Sequence, residues 1–206
     1  AWSDNNDQDG IRPNDVTIEL LANGTETGKT LVLSEGNNWT GSFTDLDKFA
    51  AGKEVVYTIE EVAVEGYASV IDGSQSDGYT VTNSHTPAVV EVSGSKTWVD
   101  NNNQDGVRPE SITINLVKNG NVIDTKTVTE ADDWAWSFTD LPKYENGTLI
   151  NYSVTETAVE GYTTTYNGYN VTNTHAPEKT SVTVSKSWKD NDDQDGIRPN
   201  DVTIKL

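Results

Sequence analysis

The sequence predicts an all-β fold built from small antiparallel sandwiches in tandem. The chain repeats itself about every 90 residues, which indicates an array of similar units. Within each repeat apolar residues alternate with polar ones, and Gly, Asn and Asp separate the alternating runs. Roughly seven such runs fit a small sandwich, and no stretch has the three-and-four apolar spacing of a helix.

The repeat is clearest where each copy begins. Residues 1–20 match residues 187–206 at 16 of 20 positions, and residues 97–116 form a third copy. The copies lie 96 and then 90 residues apart. Short links between them predict an elongated rod. We divide the chain into a first repeat that lacks its first strand, a complete repeat and the truncated beginning of a third: 1–86, 87–177 and 178–206.

The strands of the complete repeat follow from its alternation. In each strand the apolar side chains occupy every second position, as expected when one face is buried. The first hairpin turns at Asn119-Gly120, and Asn23-Gly24 repeats this turn in the first copy. Both pairs suit a tight turn with positive φ. The apolar positions that share a face are Val90, Val92 and Trp98; Ile112, Ile114 and Leu116; Tyr152 and Val154; and Tyr169 and Val171.

The composition argues against several classes of function. Among 206 residues, 33 are acidic and 14 basic, which gives a net charge of −19. Nucleic-acid binding requires a basic surface, and the same charge disfavours an anionic membrane, so we expect neither nucleic-acid binding nor membrane insertion. The chain has no cysteine, which excludes disulfides and thiolate metal sites. A stable extracellular form would therefore need another kind of crosslink.

Three polar side chains occupy inward-facing positions of the complete repeat. Lys96 is in phase with the apolar residues of the first strand. Glu156 and Asn173 are in phase with those of a later strand and of the last strand. The other copies contain only part of this set. The first repeat has Glu61 and Asn83, and its matching lysine would fall before Ala1. The third repeat has Lys186. Neither of these copies contains the full set.

The buried polar set has two interpretations. Burial of an isolated charge is costly, so the groups must pair or become neutral. In the simpler interpretation, Lys96 and Glu156 form an ion pair and Asn173 hydrogen-bonds to it. In the other, burial favours a neutral amine and a protonated carboxyl. Lys96 then attacks the Asn173 side-chain carbonyl while Glu156 polarises the oxygen and transfers protons, once per domain.

Several motifs of the complete repeat occur in a specific order. They are Ser-Lys-Thr-Trp-Val-Asp at 95–100, Gly-Val-Arg-Pro at 106–109, Tyr-Ser-Val-Thr-Glu at 152–156 and Tyr-Asn-Val-Thr-Asn-Thr at 169–174. This pattern resembles the collagen-adhesin B-type repeat of Gram-positive surface proteins. The resemblance implies an inverse immunoglobulin-like sandwich with an intramolecular Lys-Asn isopeptide bond. By matching motif, it places the bond between Lys96 and Asn173 and the assisting acid at Glu156, with Glu61 equivalent in the first repeat.

Together with these features, the resemblance implies a stalk or spacer of a bacterial cell-surface adhesin, extracellular and anchored to the cell wall through a segment outside this chain. The alternative is an adhesive module that recognises a host matrix protein or glycan. Near-identical motifs in every copy favour a spacer whose partners are the neighbouring repeats, with any host ligand bound by other domains. A binding panel of matrix proteins and glycans distinguishes the two. Turnover catalysis is the least expected class.

The acidic loop at the start of each copy has a second interpretation. Asn5, Asp7 and Asp9 have the alternating spacing of a calcium loop, but Asn replaces the first acid and no Glu stands at the twelfth position. We therefore predict an Asx-rich turn, with Asp7 and Asp9 as the alternative calcium ligands. No other metal and no cofactor is expected.

The remaining motifs are given structural roles. Each loop is followed by an Arg-Pro pair whose arginine is expected to hydrogen-bond the loop carboxylates or carbonyls. Trp and Tyr side chains are expected to fill the thin cores rather than form a sugar-stacking platform. His85 and His175 follow the last strands and are interpreted as linker residues.

Overall fold

The computed structural model describes residues 1–206, and its strands run from Trp2 to Thr174 in two successive units. The only helices are two short 3₁₀ turns, at Glu35–Asn37 and Glu130–Asp132. No helix is long and apolar enough to cross a membrane. The prediction of tandem all-β units is confirmed.

Eight strands form the first unit. In chain order they are β1 (Trp2–Ser3), β2 (Asp15–Ala22), β3 (Thr25–Ser34), β4 (Phe49–Ala50), β5 (Lys53–Glu54), β6 (Tyr57–Glu61), β7 (Ala68–Ser74) and β8 (Gly78–Ser84). One sheet has the order β3-β2-β6 and the other β1-β8-β7, with β4 and β5 as a small separate hairpin.

Nine strands form the second unit. They are β9 (Val89–Val99), β10 (Ser111–Lys118), β11 (Asn121–Thr129), β12 (Ala135–Pro142), β13 (Tyr144–Glu145), β14 (Thr148–Leu149), β15 (Tyr152–Glu156), β16 (Thr163–Asn167) and β17 (Asn170–Thr174). The two main sheets have the orders β11-β10-β15 and β12-β9-β17-β16.

The core of the second unit lies between its two main sheets. The alternation predicted for β9, β10, β15 and β17 is confirmed, because their inward positions are buried or half-buried and most of their outward positions are more exposed. The hairpin prediction also holds, since Asn119 and Gly120 both have positive φ. The buried apolar side chains are Val92, Ile112, Ile114, Leu116, Val128, Trp136, Phe138, Ile150, Tyr152, Val154 and Val171.

One pairing differs from the antiparallel expectation. The first and last strands of the second unit, β9 and β17, pair in parallel, with Lys96 opposite Val171 and Trp98 opposite Asn173. β1 and β8 pair in the same way in the first unit. Alternation of apolar residues fixes which side chains face inward, but it carries no information on strand direction.

The first unit has a smaller core than the second. Its main cluster contains Leu20, Val55 and Tyr57. β1 is two residues long, whereas β9 has eleven, and residues 40–48, which match β12 in sequence, form no strand. A cavity of about 510 Å³ therefore lies between the sheets of the first unit, and Glu61 and Asn83 line part of it.

The strands expected in the third copy are not formed. Residues 178–206 contain no strand, and Val182, Val184 and Trp188 are exposed. A strand needs a neighbour to satisfy its backbone groups, and this segment has none within the chain. Only its acidic loop adopts the conformation of the other copies, with an ion pair between Arg198 and Asp190.

Candidate crosslinking site

The three predicted site residues of the second unit lie on three different strands. Lys96 is on β9, which runs between β12 and β17 in its sheet. Asn173 is on β17, the neighbour of β9, and Glu156 ends β15 in the facing sheet. The side chains of Lys96 and Glu156 are fully excluded from solvent, and Asn173 is likewise 0% exposed. The strand alternation thus directs all three polar groups into the core.

Lys96 and Glu156 are in direct contact. Lys96 Nζ donates to Glu156 Oε1 over 2.5 Å, and Thr164 Oγ1 donates to the other carboxylate oxygen over 3.1 Å. The Lys96 nitrogen also lies 4.5 Å from the centroid of the Trp98 ring. Burial lowers the pKa of the Lys96 amine, against the opposing effect of its hydrogen bond to Glu156. The site therefore favours the neutral, nucleophilic amine more than water does.

Asn173 is buried without a hydrogen-bonding partner. Neither the oxygen nor the nitrogen of its side-chain amide is paired. In the parallel register Asn173 lies two positions beyond the partner of Lys96, so the two side chains are diagonal neighbours on one face of the sheet. An unpaired buried amide costs about 1–3 kcal/mol and requires an explanation.

The first unit shows how the same Asn and Glu behave without a lysine. Asn83 Nδ2 donates to Glu61 Oε1 over 2.8 Å, and Asn83 is buried. In the second unit Lys96 and Thr164 occupy the two oxygens of the equivalent glutamate. With both oxygens of Glu156 occupied, the Asn173 amide has no hydrogen-bonding partner, unlike Asn83.

Lys186 is not part of any such site. It is exposed, its Nζ donates to the Ser187 carbonyl over 2.7 Å, and it lies 3.6 Å from the Trp188 ring centroid. The structure brings it to neither Glu61 nor Asn83. It therefore provides an internal control with the sequence context of Lys96 but without its surroundings.

A second buried carboxylate, that of Asp100, binds the residues that pack against Trp98 beside Lys96. Asp100 accepts hydrogen bonds from the Arg108 guanidinium at 2.7 and 2.9 Å, from the Tyr162 hydroxyl at 2.9 Å and from the Asn103 backbone at 3.0 Å. The bonds from Arg108 are the main reason that the pKa of Asp100 lies well below its usual range. Arg108 and Tyr162 also contact Trp98, the neighbour of Lys96. The prediction that the arginines bind the loop carboxylates is confirmed.

The Asp7 and Asp9 carboxylates are used within the protein. Asp7 Oδ1 accepts the Arg12 backbone N–H, and Asn5, Asn6 and Asp7 have positive φ, as an Asx-rich turn requires. Asp9 Oδ2 contacts His85. No group of three or more His, Cys, Asp or Glu side chains in the chain is arranged to hold a metal ion.

The sequence did not predict the roles of two residues, one at the crosslinking site and one at the linker. Thr164 binds Glu156, and its equivalent in the first unit is Ser69, because both lie opposite the asparagine in the register. A hydroxyl at this position in both copies was the available signal. The role of His85 in binding Asp9 was missed as well, since a lone histidine after a strand gives no sign of a partner 76 residues away.

Comparison with known proteins shows the family of this chain. The family model of the Cna protein B-type domain matches residues 1–84, 92–174 and 182–206, which is most of the chain. The chain belongs to the Cna B-type domain family. The prediction made from the motifs is thereby confirmed.

One relative of the chain is similar in sequence, and another has a solved structure of similar fold. The chain is 47% identical over 206 residues to a collagen adhesin of Staphylococcus aureus, matching all of this chain and 17% of that protein's length. A crystal structure of two B repeat units of the S. aureus collagen-binding protein superposes with a TM-score of 0.77 at 47% identity, covering 96% of this chain and 53% of that one. The tandem arrangement of Cna B-type units is therefore shared with a solved structure.

Proposed function

We propose that the second repeat forms an intramolecular amide bond between Lys96 and Asn173, and that these repeats are stalk units of a bacterial surface adhesin. The observation that carries the proposal is the fully buried Lys96–Glu156 contact beside a buried amide with no partner. Bond formation removes the unpaired Asn173 nitrogen altogether, which an ion pair alone does not.

The proposed reaction balances without any added reagent. Proton transfer along the hydrogen bond from Lys96 to Glu156 gives a neutral amine and a carboxylic acid. Lys96 Nζ attacks Cγ of Asn173, the Nζ–Cγ bond forms and the Cγ–Nδ2 bond breaks. Glu156 carries the proton lost by Nζ to the departing nitrogen, which leaves as ammonia. Thr164 holds the second oxygen of Glu156 and so orients the acid.

The bond would alter how the repeat carries force. β9 enters the second repeat and β17 leaves it, and because they are parallel, tension on the two linkers pulls them in opposite directions along their length. A bond between Lys96 and Asn173 carries that tension directly from one strand to the other. The chain between these two residues is then protected from extension.

This mechanical role fits a spacer better than a binding module. The sequence motifs of the site recur from copy to copy. The Lys96 and Glu156 side chains face the core and are not exposed to solvent, where a ligand would bind. The relatives are named as a collagen adhesin and a collagen-binding protein. We propose accordingly that the chain is cell-wall associated and extracellular, and that it holds a ligand-binding region away from the surface.

Single-molecule stretching tests the proposal. In the parent chain the second repeat is expected to release almost no length, because the bond holds residues 96 and 173 together. A Lys96→Met variant is expected to release the roughly 76 intervening residues, or about 270 Å at about 3.6 Å per residue.

A Lys186→Met variant is the matched control and is expected to extend like the parent. The proposal fails if the parent and the Lys96→Met variant release the same length.

A further inference from the structure

The linker after the first unit is held by a histidine. His85 Nδ1 lies 2.9 Å from the Gly66 carbonyl oxygen, and its Nε2 lies 3.0 Å from Asp9 Oδ2. The carboxylate of Asp9 also accepts the backbone N–H of Ala88 over 2.8 Å. Asp9 therefore holds the linker on both sides of Pro87, just before β9 begins.

We call this arrangement, a histidine between a backbone carbonyl and a carboxylate that also binds the linker, the histidine clamp. The same clamp occurs after the second unit. His175 Nδ1 lies 2.8 Å from the Gly161 carbonyl oxygen, and its Nε2 lies 2.9 Å from Asp105 Oδ2. Asp105 accepts the backbone N–H of Glu178 over 2.8 Å. Two independent copies within one chain thus adopt one geometry.

The partners of each histidine determine its charge state. A neutral imidazole has one N–H and one acceptor nitrogen, whereas both ring nitrogens of His85 face acceptors, one carbonyl and one carboxylate. Both contacts are hydrogen bonds only when the ring is protonated on both nitrogens. Loss of one proton leaves a ring nitrogen facing an oxygen without a hydrogen between them.

The loop that carries Asp9 also contacts the next repeat. The Gly147 backbone N–H donates to the Gln8 carbonyl over 3.1 Å. A Cβ on Gly10 would lie 2.4 Å from Gly147 Cα, so the two backbones touch where any side chain would collide. Asp9, which binds the histidine and the linker, therefore lies on the same loop, residues 4–10, as the residues that contact the next repeat.

We propose that this loop and the histidine clamp form a pH-dependent joint between consecutive repeats. While His85 is protonated, the linker and the following repeat are docked on loop 4–10 and the angle between the units is fixed. When His85 loses its proton, the clamp opens and the units move relative to one another. The partner recognised by the loop is the glycine turn between β13 and β14 of the next repeat.

The pH range follows from the groups around the clamp. His85 faces Asp9 and Asp4 and contacts the Tyr67 ring, while Lys143 of the next repeat faces Asp9. The hydrogen bond to Asp9 is the main reason that the pKa of His85 is raised. A raised pKa means that the clamp contributes fully below the ordinary value of 6.5 and is lost as the pH rises through the raised value.

Asp9 sets the lower limit of the pH range in which the joint is closed. Burial of this carboxylate acts to raise its pKa, but the hydrogen bonds from His85 and Ala88 outweigh burial, so the pKa of Asp9 is lowered. The contribution of Asp9 is therefore present above the ordinary carboxylate range and is lost as the pH falls through the lowered value. The joint is closed in mildly acidic solution.

Distance measurements between spin labels test the joint. The chain has no cysteine, so Thr30→Cys and Thr125→Cys, both at exposed positions, place one label on each unit of the full chain. Double electron–electron resonance from about pH 5 to about pH 9 spans the titration of histidine. Above the raised pKa, the ratio of the narrow to the broad distance component is expected to fall by up to about tenfold per pH unit.

Variants separate the clamp from general flexibility. Asp9→Asn removes the carboxylate and is expected to give the broad component at every pH. Asp105→Asn makes the same change at the second junction, beyond both labels, and is expected to leave the parent distribution unchanged. The proposal is overturned if the parent distribution does not respond to pH, or if it responds equally in Asp9→Asn.

Discussion

A Lys96→Met variant is expected to unfold its second repeat at least about 4–5 kcal/mol more easily than the parent. A crosslink between residues 96 and 173 restricts the unfolded chain as a disulfide closing the same loop would, and this loop length gives a value of that order. The measurement is guanidinium unfolding followed by fluorescence of Trp98, Trp134 and Trp136, all packed in or against the core of the second unit. Lys186→Met is expected to match the parent.

A double variant separates the crosslink from the ion pair. Lys96→Met alone leaves Glu156 buried without its partner, which is itself destabilising. Replacing both charges, as Lys96→Met with Glu156→Leu, removes that penalty, and exchanging a buried ion pair for apolar groups is often neutral or stabilising. If the parent is crosslinked, the double variant is still less stable than the parent by about 4–5 kcal/mol. A double variant as stable as the parent supports the ion pair alone.

An Asp100→Asn variant is expected to lose about 3–5 kcal/mol of stability in the second repeat, since removal of one partner breaks a buried ion pair. Asp100 is 2% exposed and accepts bonds from Arg108, Tyr162 and Asn103. The asparagine amide cannot accept both guanidinium bonds and leaves Arg108 without its counter-charge. Urea unfolding of the second repeat measures the loss.

Asp190 provides the matched control for Asp100. It forms the equivalent pair with Arg198, but its side chain is 30% exposed and its segment contains no strand. Asp190→Asn is therefore expected to change the unfolding of the second repeat by less than about 0.5 kcal/mol, as for an ordinary surface substitution. Equal losses in the two variants would show that burial is not the cause.

The acid dependence of Asp100 follows from the same contacts. Its pKa is lowered mainly by the Arg108 guanidinium, so its contribution is complete above the ordinary carboxylate range and declines as the pH falls through the lowered value. The pH dependence of the clamp at His85 has the opposite sign, because the stabilisation that it provides declines as the pH rises. As the pH rises through the raised pKa of His85, the joint should thus open while the core of the repeat keeps the contribution of Asp100.

Strand alternation was enough to predict which polar side chains face inward. A period of two residues places Lys96, Glu156 and Asn173 on inward faces whatever the topology, and the structure brings Lys96 against Glu156. Alternation does not show that β9 and β17 run parallel, because inward and outward positions are the same for either direction. The parallel register is what sets Asn173 diagonally beside Lys96.

Long-range contacts account for the features that the sequence did not reveal. The third copy has the residues of a strand around Val184, but no neighbouring strand in this chain pairs with it. His85 and Asp9 lie 76 residues apart and meet only after the repeat has folded. Local patterns predict which side chains are buried, whereas the joint depends on contacts between residues that are distant in sequence.

Intact mass spectrometry of the denatured chain decides whether an amide bond joins Lys96 and Asn173. The parent is expected to weigh one ammonia less than its sequence, and digestion should leave the peptides containing Lys96 and Asn173 joined. Glu156→Gln, which keeps the size of the side chain but removes the acid, is expected to have its full sequence mass. A parent chain at full sequence mass would rule out the amide bond and leave a buried ion pair in its place.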